Sequence, residues 1–443
     1  MAKLAEVFGV STTVPKYTYV DRLGLDGQFR YFLEADRHLV VHGGSKQGKT
    51  ILRRKHLADA ECIVLPCGLN DTLESLYARI SRETVTTVVS SSSKATTTGG
   101  EGGANARVSM TLPFVAEASA GVGGKVQSKT THSTEEKHLG ADISIDTVAR
   151  AIRHSHRRLV IEDFHYLAED EQKKLAFALK ALWDAKVFVI IIGIWAEQNL
   201  LTVYNNDLSG RVEEIDVRWT DEELRQVISK GENILNVTIL PEIVDDIIKD
   251  ANKNVGLLQR LAEGACLEAG ITETRKHRRT LDDWAALNRC REAVCKTFEH
   301  RYFSFASFVS RGFKNPEKTK LKLYRQIIRA CIEATEAELV DGLERQTLLT
   351  KIKRYEPAAD MTNLQKALSR LDRLQTERKI TPPVLSYGQI TRTVVLVDRE
   401  LLFYRKYTTR SWPWEDNYAS VPDVEEAEES ATGPDGVDQL EEG

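Results

Sequence analysis

Residues 43–50 read GGSKQGKT, and this octapeptide decides the fold. A bound phosphate needs close backbone approach and several N–H donors. Gly43, Gly44 and Gly48 let the chain wrap without Cβ clashes, and Ser45, Lys46 and Gln47 complete the loop. The helix that opens at Gly48 adds its unpaired amides and the positive end of its dipole. Lys49 is placed to reach the β- and γ-phosphates of ATP, and the Thr50 hydroxyl to bind Mg²⁺. The preceding HLVVH, 38–42, reads as a short buried strand, and 48 to about 58 as a helix. Strand, GxxxxGKT, helix is the context that turns the motif into a structural expectation.

Outward from the loop, apolar runs alternate with helical periodicity. CIVLP at 62–66, RLVI at 158–161, VFVIII at 187–192 and 212–217 read as further strands. Helices are expected over 72–82, 147–156 and 170–185. Strands that are apolar throughout are those of a parallel sheet covered on both faces. The expected class is therefore α/β, a doubly wound parallel sheet. The strand RLVI runs into Glu162 and Asp163. One such acid holds Mg²⁺ through water, and the other orients or deprotonates the attacking water.

The expected organisation is a core over 1–219, interrupted by a Ser/Thr/Gly-rich insertion at 83–140, and a helical lid at 220–270. A basic helical linker follows at 271–320, containing RKHRR at 275–279, then a module at 321–418 and an acidic tail at 419–443. The insertion reads as a flexible surface segment or, from the alternation of Val108, Met110 and Leu112, as a partner-binding hairpin. In the lid, helices are expected over 221–230, 241–251 and 255–268. The 321–418 module reads as helices 321–334, 344–354 and 362–378 followed by strands near 384–387 and 392–398. That order describes a winged helix. Asn363, Gln365, Lys366, Ser369, Arg370 and Arg373 lie off the apolar face of its third helix and suit either DNA or solvent.

Nine acids in 423–443 outweigh the rest of the chain. Without them the net charge of −4 becomes +5. Such a tail reads as a solubilising extension. The six cysteines form no CxxC pair, which argues against a zinc site of that pattern. The longest apolar run, 187–194, is too short to span a bilayer, and the N-terminal segment lacks signal-peptide regions. A cytoplasmic location is expected.

The motifs resemble those of AAA+ and STAND-type P-loop ATPases, close to the origin-recognition initiator branch. TYVDR at 18–22 precedes the loop, GGSKQGKT matches Walker A, and LVIED at 159–163 matches Walker B. The resemblance covers about 14–268. It implies that Val20 and Arg22 line the adenine pocket and that Arg211 completes a neighbouring subunit's site as an arginine finger. It also implies that a winged helix follows. The chain departs from the pattern in three places. The acids come as Glu162 then Asp163, which gives Glu162 the metal and Asp163 the water. The sensor-1 position reads Gly193-Ile194-Trp195, with Glu197 or Asn199 as substitutes. In NVGLLQRL, Gln259 stands where the second sensor arginine is expected, and Arg260 lies about 100° around the helix.

Three readings follow: an ATP-driven switch or machine, DNA-associated or acting in bacterial defence; an ATP-gated binding module with negligible turnover; and a winged-helix DNA-binding regulator.

Overall fold

The computed structural model describes residues 1–94, 144–195, 198–313 and 322–415. The Val108–Leu112 alternation, Glu197 and the acidic tail lie outside them.

Five strands, β1 (His38–His42), β2 (Cys62–Pro66), β3 (Arg158–Glu162), β4 (Val189–Ile192) and β5 (Val212–Asp216), form one sheet. Their order is β2-β3-β4-β1-β5, and every pairing is parallel. Successive side chains point to opposite faces. Leu39 and Val41 pack on one side with Phe29 and Leu52, and Val40 packs on the other with Leu159, Ile161 and Ile191. Helices Leu23–Glu34 and Lys49–His56 cover the first face, while Ile145–Ser155 and Glu169–Asp184 cover the second. This is the expected doubly wound sheet. Because all strands run the same way, residues just beyond β1, β3, β4 and β5 gather at one edge. The helix expected over 72–82 runs on as Leu73–Lys94, into the Ser/Thr-rich segment.

The lid contains helices Asp221–Leu235, Pro241–Ala251 and Val255–Glu268. Leu4, Val7 and Phe8 at the N-terminus bury in the lid core rather than in the sheet. Two short strands absent from the sequence expectation, β6 (Val237–Ile239) and β7 (Arg279–Leu281), pair in parallel beside it. Arg279 of the RKHRR run is thus a strand residue. Helix Trp284–Ser304 then leads into a π-turn at Phe305–Val309. Buried Asp250 of the lid accepts from Arg291 of that helix at 2.8 Å, from Lys406 at 2.6 Å and from the Tyr407 hydroxyl at 2.9 Å. One carboxylate thereby joins three segments distant in sequence.

In the C-terminal region, helices Leu323–Ile332 and Glu336–Asp341 precede the first strand of an antiparallel sheet, and helix Arg345–Lys353 follows it. The strands of this sheet are β8 (Leu343–Glu344), β9 (Leu385–Gly388) and β10 (Thr393–Leu396), in the order β8-β10-β9. The single helix expected over 362–378 is two, Met361–Leu368 and Leu371–Glu377, divided at Ser369 and Arg370. Leu364, Ala367, Leu368, Leu371 and Leu374 are all buried across the break, so apolar spacing does not reveal it. Buried Gln375 follows the break, and its carbonyl oxygen accepts from the Val384 and Leu385 amides at 2.8 and 3.1 Å.

His38 starts β1 with both ring nitrogens used: Nε2 donates to the Leu179 carbonyl at 2.9 Å, and Nδ1 accepts from the Val189 amide at 3.0 Å. Burial pushes its pKa down to about 4. The unfolded ring takes up a proton that the folded one refuses. Stability is therefore expected to fall as pH drops from about 6.5 towards 4, by up to about 3 kcal/mol. The unfolding midpoint should decline less steeply over that window in His38→Gln; identical slopes would remove His38 from the account.

Candidate nucleotide site

The loop 43–50 leaves β1 at the gathered strand ends. Gly43 has φ 130°, and a Cβ there would stand 2.8 Å from the Val217 carbonyl oxygen, so the first glycine is demanded by the neighbouring β5 terminus. Lys49 is buried. Its Nζ donates to the carbonyls of Gly44 at 2.5 Å and Gly43 at 3.3 Å, which hold the ammonium over the loop. Burial lowers its pKa to about 8, against the opposing pull of Asp163 and Asp216.

A cavity of about 300 Å³ adjoins this loop. Gln47, Gly48, Lys49, Thr50 and Lys46 line it from the loop side, Asp163 and Gly193 from the sheet edge, and Gly256 and Gln259 from the lid. Val20 and Arg22 close it on the side opposite Asp163's strand, with Tyr19 and Trp219. Of the thirteen residues that the sequence assigns to nucleotide binding or catalysis, eight thus share one cavity. Gly43, Gly44, Ser45, Glu162 and Arg211 do not line it.

The two acids are separated by their surroundings. Glu162 accepts from the fully buried Arg53 at 3.0 Å, and Arg53 also pairs with Asp59. Asp163 follows in a left-handed conformation, φ 57°, and is the acid that faces the cavity. Burial raises its pKa, Glu162 raises it further, and Lys49 opposes both. Two residues on stands a histidine that sequence reasoning passed over. His165 Nδ1 accepts from the Ile194 amide at 3.2 Å, which leaves the ring proton on Nε2. Burial, reinforced by the charge of Lys49, lowers its pKa to about 3. At the sensor-1 position Trp195 stacks on His42, with centroids 5.4 Å apart. The Asn199 amide donates to Glu214 at 2.7 Å.

The base side is organised by Asp26, also unforeseen. This fully buried carboxylate accepts from the Tyr19 hydroxyl, from His56 Nε2 at 2.7 Å and from the Arg22 amide at 2.9 Å. Burial raises its pKa, but the hydrogen bonds from Tyr19 and His56 outweigh that and leave it below the usual carboxylate value. His56 belongs to the helix that follows the loop, so Asp26 ties the base pocket to the phosphate site. The Arg22 guanidinium lies 4.2 Å over the Trp219 ring.

Gln259 faces the cavity from the lid. Arg260 turns away, donating to Thr297 at 2.8 Å and lying 4.8 Å from the Phe298 ring. Arg211 stands at the opposite edge of the sheet from the loop. Its carbonyl accepts from the His38 amide at 2.9 Å, and its guanidinium lies 4.8 Å from the Trp183 ring.

The C-terminal region docks on the outer side of the loop. The Ser45 amide donates to the Val397 carbonyl at 2.8 Å. Lys46 Nζ pairs at 2.6 Å with Glu400, whose side chain is fully buried. A Cβ on Gly44 would stand 3.1 Å from the same Val397 oxygen. Nothing in the motif signals this contact, because its partners lie some 350 residues away.

No protein-family model matches the sequence, and no curated protein does. Among solved structures, a Walker-type ATPase of Pyrococcus abyssi superposes with a TM-score of 0.55 at 14% identity, over 90% of this chain and 99% of that one. This chain has the fold of a Walker-type P-loop ATPase. The ORC1 protein of Aeropyrum pernix, solved in complex with DNA, gives 0.38 at 12% identity over 91% and 96% of the two chains. CDC6P of Pyrobaculum aerophilum gives 0.33 at 12% identity over 92% and 98%. At those scores neither adds to the fold assignment. Among the described residues of this P-loop fold, no helix is long and apolar enough to cross a membrane.

Asp26→Asn should loosen both Tyr19 and His56, because the amide accepts fewer hydrogen bonds and carries no charge. Losing charge-assisted bonds of about 1.5–3 kcal/mol each is expected to weaken binding of a fluorescent ATP analogue about tenfold or more. Unchanged affinity in a titration would separate Asp26 from the nucleotide site.

Proposed function

We propose that this chain is an ATP-dependent molecular switch whose C-terminal region responds to the state of the phosphate loop. The observation that carries this reading is the direct contact of Val397 and Glu400 with Ser45 and Lys46. A loop that changes shape on binding phosphate cannot do so without disturbing these partners.

The site residues fit ATP and Mg²⁺. Lys49 is desolvated and poised over the loop, the Gln47 Oε1 atom is buried without a partner, and Thr50 and Asp163 share one cavity. In this reading residues 43–50 wrap the phosphates, Lys49 neutralises the β- and γ-phosphates, and Val20 and Arg22 border the adenine. When bound, Mg²⁺ would supply positive charge against the phosphates. Thr50 and a carboxylate from the end of β3 would hold it, the role that strand position assigns to Glu162. Asp163, which faces the cavity, orients or deprotonates the attacking water. Since Glu162 is already engaged by Arg53, its recruitment requires exchange of that ion pair, and turnover is expected to be slow.

Arg211 lies on the edge of the sheet away from its own loop, with its guanidinium against Trp183. We assign it to a neighbour's γ-phosphate in an oligomer. Residues 321–418 we read as a winged helix, from the helices followed by the β9–β10 ribbon. Its exposed Lys366 and Arg370 offer phosphate contacts to DNA. Arg373 is held by Glu377 at 2.7 Å, Gln365 by Arg345 at 2.8 Å and Asn363 by Asp360, which leaves less of that face for base reading. DNA is therefore the secondary partner in this reading.

Steady-state phosphate release with Mg·ATP should fall by about 10² or more in both Lys49→Ala and Asp163→Ala. Release that survives either change would sink the assignment of the site. ATP binding with no release from the unaltered protein would favour a gated binding module. Glu400→Gln should alter ATP affinity severalfold without touching the cavity; an unchanged titration would sever the C-terminal contact from nucleotide control. Arg211→Ala protomers mixed with Lys49→Ala protomers should regain release that neither variant shows alone, and no recovery on mixing would refute action in trans.

A further inference from the structure

A second cavity, of about 250 Å³, lies on the far side of the phosphate loop. Gly43, Gly44 and Gln47 form one wall, and the C-terminal region forms the other. Four charged residues line it, and they are not equivalent. Asp216 and Arg218 neutralise each other at 2.7 Å. Arg399 is repelled by Arg218 and attracted by Asp216 and, more weakly, by Asp341, but forms no ion pair with either aspartate among the described residues. The Arg399 guanidinium is largely withdrawn from solvent, yet its one hydrogen bond there is a long one, 3.4 Å to the Asn252 carbonyl. Asp341 stands exposed on the β8 side.

Two more residues of the wall carry buried polar atoms without partners among the described residues. They are Trp195 Nε1, on a side chain 6% exposed, and Gln47 Oε1, on one 3% exposed. The first can only donate and the second only accept. A buried polar atom left unpaired costs about 1–3 kcal/mol, and such atoms are few in native structures and call for a reason.

We infer that this cavity binds a small zwitterion of the amino-acid class. Arg399 would take the carboxylate in its forked geometry, and Asp341 the ammonium. Trp195 Nε1 and Gln47 Oε1 would serve the remaining acceptor and donor. The wall is neutral overall but has one separated positive and one separated negative group, which matches a zwitterion. A phosphate dianion would meet the uncommitted Asp341 as well as the single uncommitted arginine. Gln47 lines this cavity and the nucleotide cavity alike. On the switch reading, which this consequence rests on, the ligand and ATP therefore alter each other's affinity by one common factor.

The test uses the full chain. Pools of the twenty proteinogenic amino acids are screened by thermal unfolding, and the active members are followed by equilibrium dialysis of the labelled compound without nucleotide. Inorganic phosphate and an acetate–methylamine mixture run in parallel. The expected result is saturable binding of at least one amino acid, weakened about tenfold or more in Arg399→Met and in the exposed Asp341→Asn. The inference is overturned if no pool binds, if phosphate binds and Asp341→Asn strengthens it, or if binding is unchanged in both variants. Titration of a fluorescent ADP analogue with and without the amino acid reads the coupling separately. Binding without coupling would leave the site standing and count against the switch.

Discussion

A parallel sheet buried on both faces has its backbone hydrogen bonds used up within the sheet. It can offer unpaired amides to a ligand only where strands end. In this chain all five strands end along one edge, and the loop 43–50 is the segment whose glycines let its amides turn inward. Every other part of the site is placed with reference to that loop. β5 approaches so closely at Val217 that only glycine fits at 43. β3 brings Asp163 across from Lys49, and the lid reaches Lys46 through the Gly256 amide at 3.4 Å.

The loop is also held from outside. Lys46 forms the one ion pair that Glu400 has among the described residues, and Glu400 is fully buried. Removing Lys46, whose own side chain is half-exposed, would strand a buried carboxylate, and an uncompensated buried charge is costly. The C-terminal region therefore has a strong reason to stay where Lys46 is, and a change in the loop is felt there directly.

Asp26 and Asp250 use a related device. Each is a buried carboxylate satisfied by donors from several segments. Asp26 joins the strand-like 18–22 segment to the helix that follows the loop, and Asp250 joins the lid to helix Trp284–Ser304 and to the chain near 406. Both place a charge in the interior only because enough hydrogen bonds converge on it. They make the nucleotide pocket and the docking of the C-terminal region properties of the whole chain.

Sequence alone was enough for the elements whose signal is local. GGSKQGKT, the apolar strands and the capped lid helices each carry their reason within a few neighbouring residues, through backbone freedom, burial on two faces and 3.6-residue periodicity. Hence the doubly wound sheet was legible in the sequence, whereas the meeting of Val20, Arg22, Lys49, Thr50 and Asp163 at one cavity is a matter of the tertiary structure. The rest depends on groups that meet across long separations. Arg53 captures Glu162 from 109 residues away, His165 takes the Ile194 amide, and Val397 caps Ser45. The break at Ser369 and Arg370 leaves the apolar spacing intact, so no periodicity shows it. Hydrogen bonds and ion pairs have short reach and no sequence period. Which donor meets which buried carboxylate is therefore decided only when the tertiary structure brings them within 3 Å or so of one another.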